Sequence, residues 1–278
     1  MTWKVQKHYL ENMQNSESNI KVAGETAVNL LQHSNWLEIY GVDIYSFVTS
    51  ALLLLAYYLL IAHKTRKNPA YTVQSVNIIA RTAWVESIMR DGGKEVLAVQ
   101  TLRNSTMAAT FLASTSVLLI IGVLTLSAQG DKMEGTWHAL NMAGNTHNEL
   151  WLTKLLIMLL DLFVAFFSFS MAVRVFNHVG YMINVPLARN HKMICPQHVA
   201  IHLNRAGMFY SVGMRAYYFT VPLVFWLFGP HFMLLSTLAL ILILYRLDRA
   251  PKILAEDYAE DSAHLSGAAE FDKARAST

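Results

Sequence analysis

Residues 44–62 read IYSFVTSALLLLAYYLLIA, an apolar run without a single charged side chain. A helix rising about 1.5 Å per residue crosses the roughly 30 Å hydrocarbon core of a bilayer in about 20 residues, so this run is long enough to span a membrane. Three more stretches qualify: 105–127, 151–173 and 217–245, the last interrupted by Gly229-Pro230. The first run follows Asp43, a plausible N-cap, and stops at His63-Lys64-Thr65-Arg66-Lys67. The second is rich in Ser, Thr and Ala in its first half, which suits close packing of helices. The pattern predicts an all-α integral membrane protein with four transmembrane helices.

Composition points the same way. The chain is 54% hydrophobic and only 15% charged, against about 25% charged in soluble domains. That balance argues against an ordinary soluble enzyme, and a net charge of +3 gives no basis for a nucleic-acid partner. The single cysteine, Cys195, excludes an intramolecular disulfide and a cysteine-built metal cluster.

Three parts follow: a polar N-terminal segment, 1–42, with a short amphipathic helix near 20–31; a transmembrane domain, 43–250; and a polar tail, 251–278. The connections 63–104 and 174–216 hold twelve Lys/Arg and three acids, whereas 1–43, 128–150 and 246–278 hold nine Lys/Arg and fifteen acids. Basic loops resist translocation. Both long connections are therefore expected in the cytoplasm of a bacterial inner membrane, with both termini outside. Arg246, Arg249 and Lys252 stand against this, lying directly after the fourth run. A re-entrant hairpin at Gly229-Pro230 would bring the C-terminus inside. Arms of about 12 and 15 residues look too short to cross alone, so one long kinked or tilted helix is the expectation. Between spans one and two, 73–90 carries an amphipathic helical pattern ending at Asp91-Gly92-Gly93, and a further helix from Glu95 is expected to continue into the second span. A second amphipathic piece, 196–214, precedes the fourth run.

Several ordered blocks carry a resemblance. They are Asn68-Pro69 with Asn77, Arg81 and Trp84; Leu97-Ala-Val-Gln-Thr-Leu-Arg-Asn104; Ala108 with Phe111-Leu-Ala-Ser-Thr115; Ile183-Asn-Val-Pro186; Asn204-Arg-Ala-Gly207; and Gly213 with Arg215-Ala-Tyr-Tyr-Phe219, Pro222, Trp226 and Gly229-Pro230. Together, over roughly 44–247, they resemble the membrane proteins of domain of unknown function 599. The resemblance implies a multi-span membrane protein of bacteria and plants and supplies no catalytic residue.

The residues themselves offer three candidate sites. Arg81, Trp84, Gln100, Arg103, Asn104 and Arg215 fall near the cytoplasmic surface, as headgroup-level anchors or as a vestibule for an anion or anionic headgroup. Asp161, ten residues into the third run, and His231, in the middle of the fourth, form a possible intramembrane proton or cation site, or else a structural pair. Lys154, near the start of the third run, is expected to snorkel outward. His198 and His202, spaced i, i+4, place two imidazoles on one helical face, fewer ligands than a zinc site needs. No motif calls for a cofactor. The expected function is a non-catalytic structural or accessory subunit, partnered by the lipid bilayer and by further copies of itself or a larger membrane complex. The alternative is a homo-oligomeric channel or transporter using Asp161 and His231; a metal-dependent membrane enzyme is the remote one.

Overall fold

In the computed structural model the described residues are 41–67, 71–91, 93–129, 148–186 and 194–249, and they form six helices. These are α1 (Gly41–Lys67), α2 (Val73–Arg90), α3 (Glu95–Ala128), α4 (Asn148–Met182), α5 (Pro196–Phe228) and α6 (Pro230–Asp248). Four of them, α1, α3, α4 and α6, are long and apolar enough to cross a membrane. Among the described residues there is no strand, only an isolated bridge between Thr72 and Arg249. The N-terminal amphipathic segment and the polar tail lie outside the described residues.

Local chemistry accounts for the helix ends. The Thr72 hydroxyl accepts the Ser75 N–H at 3.3 Å to start α2. That helix stops before Gly93, whose φ of 86° suits a residue without a Cβ. Pro196 and Pro230 open α5 and α6 at positions where no intrahelical N–H is needed.

α3, α4 and α5 contain 34, 35 and 33 residues, or about 50 Å each at about 1.5 Å per residue, well beyond the hydrocarbon thickness. They pack antiparallel in sequence, α4 between the other two. At one end Ala98 and Leu102 of α3 meet Phe176 and Val179 of α4 and Val199 and Leu203 of α5, with Val85 and Ile88 of α2 closing the cluster. At the other end Ile120 and Val123 meet Leu155, Met158 and Leu162, and Leu223 and Trp226. Between these clusters Ala165 and Phe169 meet Ala216. The excess helix length thus forms a second tier around α2. The outward faces of the long helices stay apolar and exposed, as at Leu52, Leu118 and Leu242.

One expectation is corrected here. The run 217–245 is not a single kinked helix: the chain reverses at Gly229, where φ is 146° and ψ is 158°. Leu240 and Leu244 of α6 pack back beside Tyr218 and Phe219 of α5 and Tyr57 of α1, and Asp248 comes within 3.9 Å of Arg215. The length objection fails because each arm is longer than the apolar run suggests. α5 continues below Tyr217 to Pro196, and α6 runs on to Asp248. The described chain therefore begins at Gly41 at the hairpin end and leaves through Arg249 at the α2 end, so the expectation that the C-terminal side shares the face of Gly41 is not met.

Candidate functional site

Hydrocarbon solvates no charge, so the ionisable groups on the helices must be paired within the bundle, protonated or led to water. At the hairpin end Lys154 does not snorkel. Its Nζ lies 2.7 Å from Asp43 Oδ1, with only 6% of the Lys154 side chain and 2% of the Asp43 side chain exposed. Trp226 Nε1 donates to the same carboxylate oxygen at 2.9 Å, Lys154 donates to the Trp226 carbonyl at 3.3 Å, and the ammonium lies 5.2 Å from the indole ring centroid. Phe47 stacks on the other part of this assembly, its ring 5.1 Å from Trp226. Asp43 lies inside α1, and the carboxylate expected to cap that helix is taken up by Lys154 and Trp226. The result is a lock joining α1, α4 and the tip of the α5–α6 hairpin.

The expected Asp161–His231 pair does not form. Asp161 Oδ2 instead accepts from the Thr220 hydroxyl at 2.8 Å. His231 sits exposed in the first turn of α6, beside the hairpin tip. A straight fourth span would have carried His231 to the depth of Asp161; the reversal at Gly229 leaves it at the end of the bundle. Asp161, seven residues beyond Lys154, lies about 10 Å further along α4. Near that depth Ser116 and Tyr217 join their hydroxyls at 2.8 Å, and Tyr217 also donates to the Leu112 carbonyl.

The arginine cluster is divided by the structure. Arg81, Trp84 and Asn104 line one cleft of about 720 Å³ between α2, α3 and α5. Arg215 lines an adjoining cavity of about 350 Å³, and Arg81 borders both. Gln100 and Arg103 are exposed on α3 and belong to neither lining. Arg215 is engaged internally: its Nη2 donates to Gln74 at 3.2 Å, its guanidinium lies 4.9 Å from the Tyr58 ring centroid, and Asp248, 3.9 Å away, also accepts from Tyr57 at 2.9 Å. This node ties α1, α2, α5 and α6 together. Arg81 is held differently. Its Nε donates to Asn204 Oδ1 at 2.9 Å, and Asn204 Nδ2 donates to Thr82 at 3.1 Å. The guanidinium lies flat over Gly207, where a Cβ would fall 2.5 Å from Nη1. Partial burial pushes the Arg81 pKa below its ordinary value, yet a guanidinium starts so high that the charge stays.

His198 and His202 share a face of α5, with His202 edge-on to His178 of α4 at 5.3 Å between centroids. Among the described residues no group of three or more His, Cys, Asp or Glu is placed to hold a metal. Several residues of these sites carried no signal of their pairing in the sequence. Asp43, Thr220 and Asp248 acquire partners 111, 59 and 33 positions away, and only the fold brings those together.

Neither a search of curated proteins nor a search of solved structures returns a match. Residues 46–253, about three quarters of the 278-residue chain, match the family described as Protein of unknown function, DUF599, and the chain belongs to that family.

Proposed function

We propose that this protein is a non-catalytic, multi-pass subunit of the bacterial plasma membrane that acts by assembling with copies of itself or with other membrane proteins. The observation that carries this reading is the inward pairing of its deep ionisable groups: Asp43 with Lys154 and Trp226, and Asp161 with Thr220. A permeation path needs polar groups presented to a lumen, whereas these are consumed in helix-to-helix contacts. The transport reading also loses its second residue, since His231 stands at the hairpin tip.

α3 supplies a surface for assembly. The small α3 residues Ala109, Ala113 and Ser116 serve contacts inside the chain. Thr110 and Ser114 lie on a different, exposed stripe between Met107, Val117 and Ile121. Small side chains there allow a second helix to approach closely within lipid. The orientation that fits best places the α2 end in the cytoplasm. Lys64, Arg81, Arg103, Arg205 and Arg215 cluster toward that end of the fold, and the hairpin adds Arg246 and Arg249.

Purification in a mild detergent followed by mass measurement tests the subunit reading. The expected species contains several chains, of one kind or of two in fixed ratio. A solitary monomer at every detergent concentration overturns it.

A further inference from the structure

The cleft beside Arg81 combines three features that the packing of the bundle does not require. Its cation has no carboxylate partner among the described residues. Asn204 holds Nε, and among the described residues no acceptor takes up Nη1 or Nη2. No Asp or Glu lines the 720 Å³ space, whereas Asn77, Asn104, Thr101 and Ser105 present neutral amides and hydroxyls to it. Gly207 lets the guanidinium lie directly on the α5 backbone, in a place that any Cβ would contest. A planar guanidinium with free terminal N–H groups among neutral donors is the chemistry that recognises a phosphate.

The rest of the cleft is apolar, with Phe176 and Leu203 behind and Ala108 on α3. Asn104, Ala108, Phe111, Thr115 and Leu118 follow at i, i+4, i+7, i+11 and i+14, one face of α3. Along that face Phe111 is 70% and Leu118 69% exposed. Beyond the cleft this face of α3 carries the exposed Phe111 and Leu118, on a helix that is long enough to span the membrane. A small soluble anion would use the polar corner alone; a chain-bearing anion uses both.

We infer that this cleft binds one phosphate-bearing anionic lipid, its phosphate on the Arg81 guanidinium and its upper acyl segment along Ala108, Phe111 and Leu118. The site stands whether or not the chain is a subunit of a larger assembly, because all its walls come from one chain.

The test uses the full chain in detergent, washed free of lipid and titrated with dioleoyl phosphatidylglycerol, with dioleoyl phosphatidylcholine and, separately, with inorganic phosphate, the adducts being counted by native mass spectrometry. One phosphatidylglycerol per chain is expected, bound in preference to phosphatidylcholine. Arg81→Met should weaken it about tenfold, the weight of one charge-assisted hydrogen bond. Ala108→Phe, which fills the cleft from an exposed helix position and leaves Arg81 intact, should weaken it as well. Arg66→Gln removes an equal charge from an exposed position on α1 and should change nothing. Equal binding by wild type, Arg81→Met and Ala108→Phe, or no retained phosphatidylglycerol, overturns the site. Displacement of the lipid by inorganic phosphate at equal concentration overturns the lipid and leaves a soluble phosphate as occupant.

Discussion

Lys154 and Asp43 meet at 2.7 Å with both side chains almost fully removed from solvent, and Trp226 closes the contact from the hairpin tip. Burying two charges is costly, and their attraction offsets that cost only when both are present and well bonded. Lys154→Met is therefore expected to destabilise the protein by about 3 kcal/mol or more, since it strands a buried carboxylate. The double change Lys154→Met with Asp43→Leu should recover most of that loss. Unfolding in detergent, followed by circular dichroism, measures both. Equal midpoints for Lys154→Met and wild type would show that the lock holds nothing.

Gly229 carries the reversal that separates α5 from α6, and its φ of 146° with ψ of 158° is a region that residues with a Cβ avoid. Gly229→Ala should cost about 1–3 kcal/mol in the same assay. If Gly229→Ala unfolds with the wild-type midpoint, the turn is not where the conformational demand lies.

Two glycines on α5 separate a packing need from a site need. At Gly213 a Cβ would fall 2.7 Å from the Phe169 ring, itself wholly buried between Tyr210 and Tyr217. Gly213→Ala should therefore cost about 1–3 kcal/mol through overpacking, and Phe169→Leu should restore part of it. At Gly207 the obstacle is only the tip of the Arg81 side chain. That tip can swing aside, and alanine favours a helix interior by about 0.5–1 kcal/mol. Gly207→Ala is expected to leave stability unchanged or higher. A large loss at Gly207 would mean that the seated guanidinium holds the α2–α5 contact together.

Hydropathy alone made the helical membrane class, the helix at 73–90 and the unbroken helix from Glu95 legible, because each is a local pattern of period and length. The hairpin was not, since Gly-Pro interrupts a kinked helix and a reversed one in the same way. What decides between them is the return of Asp248 to Arg215 and of Leu244 to Tyr57, contacts between distant residues. The charge count did register the reversal: Arg246 and Arg249 contradicted a shared outer face, and the fold places them at the end where the other arginines gather. The site was legible in part. Arg81, Trp84 and Asn104 do share a cleft, while Arg103, about 100° round the helix from Asn104, faces away, and Gln100, one turn before Asn104, falls outside the lining. Lys154 was misread for want of its partner, since an ammonium near a helix start snorkels unless something far along the chain meets it.

The hairpin also fixes which positions must share a side of the membrane. Cys195, the only cysteine of the chain, caps α5 at the α2 end and is partly exposed. Gln129 follows α3 at the opposite end, and Arg249 follows α6 at the end of Cys195. In a Cys195→Ser background, Gln129→Cys and Arg249→Cys give two single-cysteine chains whose thiols should lie on opposite faces. A membrane-impermeant maleimide should label Gln129→Cys in right-side-out membrane vesicles, and label Arg249→Cys, like native Cys195, only in inside-out ones. If Arg249→Cys and Gln129→Cys react from the same side, the chain does not turn back at Gly229 within the membrane. If all three patterns invert together, the hairpin stands and the α2 end, with its Arg81 cleft, faces away from the cytoplasm.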